Sequence, residues 1–229
     1  GCAGKDQLDL LHLSRRIWRR KLKSCSLSSL EINILGVRRS NDIPGAEIPG
    51  RYFEFLHTGQ GQLLQDIVEH NAVDIISMAT LLYRIQLTLQ LKPGECDCPW
   101  EAESLAYGAL RQGNYSLGLL YFEAARQLCH SRSQYLRLLR NTALIYKRLR
   151  NYEQACSLWQ EILRLVHDDL ATYEELAKYY EHQIRDLEAA ERVTRRALAI
   201  AWQTKSEKVA DLEHRLRRIR SKARTSAST

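Results

Sequence analysis

His70 and Asp74 stand four residues apart in EHNAVDIISM, residues 69–78, ahead of a long apolar run. Four residues make one helical turn, so an imidazole and a carboxylate at this spacing can face one site. Such a pair suits either a metal-dependent active site or the polar entrance to a helix. In the second reading Asn71 is the N-cap and Asp74 lies at N3, where a carboxylate favours the free amides and the helix dipole. Both readings stand at this level. A second candidate is the basic cluster Arg15, Arg16, Arg19, Arg20, Lys21 and Lys23. Arg15 and Arg19 share one helix face and Arg16 and Arg20 the next, with Trp18 as a core anchor. Clustered cations displace counterions from nucleic acid, so this helix could be a phosphate track; it could equally be a solvated face.

The elements that must hold these residues differ between the two halves. Residues 1–92 mix short apolar runs with helical patterns. LDLLHL (8–13) can be a strand or a buried turn, and SRRIWRRKLKS (14–24) is a helix that Ser14 can cap. LSSLEINIL (27–35) can start a short helix at Ser28 or Ser29. The Pro- and Gly-containing stretch 38–62 reads as an irregular loop, and 62–70 and 71–91 as two helices. Short apolar runs among helices suggest an α/β fold. KPGECDCPWE (92–101) carries Pro93-Gly94 and Pro99 and predicts a linker over 93–100.

Beyond residue 100 the pattern is helical and it repeats. GNYSLGLLYFEAA (113–125), RNYEQACSLWQEI (150–162) and RDLEAAERVTRRA (185–197) align without gaps. Tyr115, Tyr152 and Leu187 fall in register, with small residues at Gly118, Ala155 and Ala190 and bulky ones at Phe122 and Trp159; Thr194 is the weaker third match. Small residues let two helices approach, large ones fill the space between them, and such units bury their apolar faces only by stacking. Val209, Leu212, Leu216 and Ile219 then make a last amphipathic helix, whose other face carries Arg215, Arg217, Arg218 and Arg220 as a solvated cap.

Bulk composition narrows the class. The 229 residues are 45% apolar and 27% charged, ordinary for a globular protein. No uninterrupted apolar run approaches the ~18 residues of a membrane span, and GCAGKDQ carries no secretory core segment. The expectation is therefore no membrane partner and a cytoplasmic location. The six cysteines show no CxxC pairing and fit reduced thiols; CDC at 96–98 lacks the second pair that a zinc site needs. The net charge of +7 is uneven, with 12 Lys/Arg against 11 Asp/Glu in residues 1–100 and 22 against 16 in residues 101–229. A basic surplus favours polyanions or acidic partners.

Two resemblances extend this reading. The C-terminal repeats resemble the tetratricopeptide repeat, with the Gly/Arg-Asn-Tyr turn as its most specific part. That resemblance implies a groove lined by the first helix of each repeat, where Arg137, Arg140, Lys147 and Arg148 could receive an acidic peptide or phosphate groups. LDLLHLSRRIWRRKLKSCSLSSLEINILGVRR, DIPGAEIPGRYFEFL and HNAVDIISMATLL, in that order, resemble the C-terminal half of an RNase H-like 3′–5′ exonuclease domain of the DEDD superfamily, in its YprB-like branch. ELAKYYEHQIRDLEAA (175–190) is also similar to that branch. The resemblance implies that four carboxylates hold two Mg²⁺ or Mn²⁺ ions, with Asp74 the last carboxylate and His70 in the position of the base. The spacing of four is usual for the Tyr-containing branch, and five for the His-containing one. An Asp-x-Glu strand and a further Asp are expected upstream of residue 8 and do not occur here. DLE at 186–188 and 211–213 falls inside helical repeats. At most one of four ligands is thus present, so no cofactor and no catalysis are expected of this chain alone. The expectation is an RNase H-like α/β fragment over 1–92 followed by helical repeats over 101–229. It implies a nucleic-acid-processing parent protein, or else a non-catalytic repeat scaffold that keeps a nuclease remnant.

Overall fold

The computed structural model describes residues 8–39 and 43–227, and every secondary-structure element among them is helical. The chain forms two compact units, which divide after Ala125.

In the N-terminal unit, α1 (Leu10–Trp18) begins four residues before Ser14 because Asp9 caps it, accepting from the His12 amide at 3.2 Å. Leu10, Leu13 and Ile17 are spaced for a helix stripe. The strand reading of 8–13, and with it the α/β character expected for 1–92, finds no support among the described residues. Ser26, one turn ahead of Ser29, caps α2 (Leu27–Leu30). The chain then widens into a π-helical turn, Glu31–Leu35, that closes at left-handed Gly36 (φ 71°). α3 (Ile48–Thr58) and α4 (Gly61–Gln90) follow, and α3 packs on α4. Residues 62–90 are thus one helix and not two, and residues 48–58 of the expected loop are helical. Ile17, Trp18, Cys25, Leu30, Leu81 and Ile85 form the core.

α5 (Pro99–Arg111) belongs to this unit through buried polar bonds to α1. The Trp18 indole donates to Glu101 Oε1 at 2.9 Å, and Ser104 Oγ donates to the Ile17 carbonyl at 2.6 Å. Arg84 of α4 adds a 3.2 Å ion pair to Glu101. Compactness therefore divides the chain later than the 93–100 segment, which is a 3₁₀ turn at Pro93–Glu95 leading into α5.

The C-terminal unit stacks α7 (Arg132–Arg148), α8 (Tyr152–Leu165), α9 (Leu170–Tyr179), α10 (Leu187–Gln203) and α11 (Val209–Ala227), each helix in contact with the next. The repeat register is visible in the backbone. Tyr115, Tyr152 and Leu187 are the first residues of α6 (Tyr115–Leu128), α8 and α10. Asn114, Asn151 and Asp186 cap these helices through their side-chain oxygens. One residue earlier, Gly113, Arg150 and Arg185 all take left-handed φ, 77°, 58° and 62°. Gly118, Ala155 and Ala190 are buried where the helices touch, and a Cβ at Gly118 would meet Leu110 Cδ2 at 2.8 Å. Trp159 fills the core beside Leu139, Ala143, Ile162 and Leu176.

α4 has two apolar sides. One packs into the core through Ile67, Leu81 and Ile85; the other exposes Ile75 (63%), Ile76 (65%) and Tyr83 (60%), with Val68, Leu82 and Leu89. By length and composition alone the helix could cross a membrane, and only 22% of its most apolar window is buried.

Candidate functional site

α4 is continuous from Gly61, so Asn71 is an exposed interior residue and not a cap. The helix-entrance reading of Asn71 and Asp74 therefore fails. His70 and Asp74 sit one turn apart within the helix, His70 Nε2 lying 3.7 Å from Asp74 Oδ2. Their partner comes from the segment after the π turn. Arg39 Nη2 donates to Asp74 Oδ1 at 2.6 Å, while the same guanidinium grips Glu31, Nε to Oε2 at 2.8 Å and Nη2 to Oε1. Glu31 is 1% exposed, so a buried carboxylate orients Arg39 and Arg39 holds Asp74. His70 and Arg39 also line a pocket of about 660 Å³ with Arg38, Glu69 and the Arg51–Asp66 ion pair, which is 2.9 Å long.

This donor set does not fit a pair of divalent cations. Asp74 and Glu31 already share one guanidinium, and among the described residues no group of three or more His, Cys, Asp or Glu could hold a metal. Hard cations need several carboxylate oxygens at once. The arrangement by itself can orient an imidazole, through Asp74, at the wall of a partly cationic cavity.

The basic clusters are only partly brought together. Arg15, Arg19 and Lys23 line one groove of about 420 Å³ beside Cys25, and Arg16 is exposed. Burial raises the Cys25 thiol pKa, against the smaller opposing pull of Arg15 and Arg19. Arg20 turns away: its guanidinium lies 4.2 Å from the Tyr107 ring centroid and 3.7 Å from buried Glu103. In the C-terminal unit Arg140 binds Asp169 at 2.6 Å, and Lys147 pairs with Glu175. Arg137 and Arg148 lie on the same helix α7.

Sequence reasoning missed Glu31, Arg39 and Glu181. The available signal was a lone acid inside an apolar stretch, LEINIL and YYEHQI. Glu181, in a π-helical turn at Tyr180–Ile184, is buried and receives Arg215, Arg218 and Lys222. The arginines of α11 expected to be a solvated cap are therefore partly structural, and Arg220 pairs with Glu191. Burial alone would raise the Glu181 pKa; hydrogen bonds from Arg218 and Lys222, then the charges of Arg218 and His182, outweigh it and hold the carboxyl at about 2 against an ordinary 4.5. Because the folded pKa is depressed, the stability it contributes is present above pH 4.5 and is lost as pH falls through about 2. Glu181→Gln should lower stability at pH 7 by about 3 kcal/mol. Denaturant melts of both proteins should show that difference shrinking as the pH drops from 4.5 towards 2; a difference independent of pH would refute the ionic origin.

Comparison with known proteins bears on the N-terminal unit first. Residues 3–86 match the RNase_H_2 family model, of the RNase_H superfamily. The chain is also 28% identical over 227 residues to YprB, an uncharacterized protein of Bacillus subtilis (strain 168). That alignment covers 93% of this chain and 52% of YprB, so the chain spans about half the length of this relative. No solved structure matches. The matched segment contains α1, most of α4, Glu31, Arg39, His70 and Asp74. The likeness to the RNase_H superfamily lies in residues 3–86, and the likeness to YprB runs over most of the chain.

Proposed function

We propose that this chain is the C-terminal part of an RNase H-like, metal-dependent nuclease that acts on nucleic acid, with tetratricopeptide-like repeats positioning substrate or partner. The observation that carries the proposal is the match over residues 3–86 combined with Asp74 and His70 one turn apart on α4. The exposed apolar side of α4 supports it. An isolated domain rarely leaves Ile75, Ile76, Leu82 and Tyr83 in water on one helix, and a further layer of the same domain would cover them. YprB has about as much length again outside the aligned part, which is where such a layer would come from.

In this proposal Mg²⁺ or Mn²⁺ belongs to the complete protein, whose added carboxylates would supply the ligands lacking here. Asp74 would be one of the carboxylates that hold the metal, whose part is to activate a water, and the His70 imidazole would accept that water's proton. Substrate phosphates lie along Arg15, Arg16 and Arg19. The test of the proposal is a chain extended upstream to include an Asp-x-Glu strand. It should cleave RNA or DNA when Mg²⁺ or Mn²⁺ is supplied, whereas the 229-residue chain should not. An extended chain that cleaves neither would favour the non-catalytic scaffold.

The arginine track has its own test in the extended protein. Replacing Arg15, Arg16 and Arg19 by Ala should weaken nucleic-acid binding and flatten its salt dependence, by about 0.7–0.9 in log–log slope for each lost phosphate contact. Replacing Arg20, which is committed to Glu103 and Tyr107, should not flatten it. Equal slopes for the triple variant and the parent would leave α1 as an ordinary solvated face.

A further inference from the structure

The C-terminal unit holds more cations on one surface than its own carboxylates neutralise. Lys147 of α7 and Lys178 of α9 share Glu175, while Arg215, Arg218 and Lys222 of α11 share Glu181. Five cations thus converge on two carboxylates. Burial opposes ionisation of Glu175, and hydrogen bonds from Lys147 and Lys178 overcome it, so both carboxylates are anionic and fix the cations in place. Lys147, Lys178 and Arg218 keep 37, 41 and 40% of their side chains exposed, and each ammonium has three N–H donors, more than Glu175 uses.

These groups are not scattered over a convex face. Lys147, Lys178, Arg215 and Arg218 line one pocket of about 260 Å³, walled by Trp159 and Tyr179. Tyr152, Tyr179 and Gln183 continue into an adjoining groove, and His182 into another that reaches Arg185 and Lys222. The result is a chain of hollows in which the first and last carry surplus positive charge, while the groove with Tyr152 and Tyr179 holds one cation, Arg150, and one carboxylate, Glu153. Fixed cations that follow a backbone, together with rings on which bases stack, are what a single strand of nucleic acid requires. An acidic peptide would use the cations and leave the aromatic walls without a role.

We propose that this track binds single-stranded nucleic acid, with Lys147, Lys178 and Arg218 on phosphates and Tyr152 or Tyr179 against a base. The choice of nucleic acid over an acidic peptide rests on the RNase H-like reading of the N-terminal unit. Partly exposed Glu175 and buried Glu181 serve as positioning residues that hold the cations apart.

The experiment uses the 229-residue chain, without divalent metal, and a dye-labelled oligo(U) or oligo(dT) of about twelve nucleotides followed by anisotropy across a salt series. Lys147→Gln/Lys178→Gln should weaken binding roughly five-fold or more at about 0.1 M salt and lower the log–log slope by about 1.4, two single-strand contacts' worth. Lys178→Gln alone, at an open position that leaves the Glu181 cluster intact, should give about half that slope change. Unchanged affinity and slope in both variants would overturn the proposal. So would a glutamate peptide of equal charge that binds more tightly and displaces the oligonucleotide. Because the readout is binding and not cleavage, an inactive extended chain would sink the nuclease reading while leaving this result intact.

Discussion

Replacing Trp18 by Ala is expected to destabilise the N-terminal unit by about 3–5 kcal/mol. The indole is fully buried among Ile17, Leu30, Leu81 and Ile85, so truncation opens a cavity where α1, α2 and α4 meet. It also removes the donor that Glu101 Oε1 faces at 2.9 Å, leaving that buried carboxylate to Arg84. Loss of one partner of a buried polar group costs more than the bond contributes, because the group that remains is already out of water. Trp18→Phe comes closer to isolating the polar effect, since it keeps most of the volume while losing the N–H and part of the second ring, so it should cost about 1–3 kcal/mol. Chemical denaturation of the three proteins measures both numbers. A cost below about 1 kcal/mol for Trp18→Ala would mean that the α1–α5 contact is not part of the core.

The second large effect concerns catalysis by the extended protein. His70→Ala should lower its rate by about 10²–10⁴-fold, the usual contribution of a positioned general base. The side chain is only 11% exposed and lies in the wall of the cavity it shares with Arg39, so the loss should appear in kcat more than in KM. A rate within a few-fold of the parent would relieve His70 of that role. It would then be a packed residue on the inner side of α4.

How much of this was legible in the sequence depends on how local the determinant was. The repeat register was readable because the same short turn recurs: a left-handed residue, an Asn or Asp cap, then Tyr or Leu opening a helix. Each of those choices is fixed within four residues. The first half was harder. LDLLHL reads as a strand or a turn until Asp9 is recognised as a cap, and the polar Glu69-His70-Asn71 looks like a break between helices. It is not one, because Glu69 and Asn71 point to solvent, where a polar residue in a helix costs little.

The site itself was half legible. The spacing of His70 and Asp74 puts them one turn apart, as they are on α4, and the roles proposed for them rest on resemblance. Glu31 and Arg39 did not, since their meeting with Asp74 joins positions 35 and 43 residues apart across a π turn that no local pattern announces. Compact packing divides the chain after Ala125, later than the Pro93-Gly94 segment, for a similar reason. Pro93-Gly94 does interrupt the helices, but Trp18 and Ser104, 86 residues apart in sequence, both bind across the α1–α5 contact and keep α5 with the first unit. Glycine and proline mark where a chain turns; buried hydrogen bonds decide what it turns back onto.

The most direct measurement is cleavage of a labelled single strand by the extended protein, in Mg²⁺ or Mn²⁺, with and without Asp74→Asn. The substitution is nearly isosteric and keeps an oxygen for Arg39, so the melting temperature should scarcely change. It removes the negative charge that a hard cation needs, so the account predicts that activity disappears. A folded Asp74→Asn protein that cleaves at the parent's rate would contradict it and take α4 out of the active site.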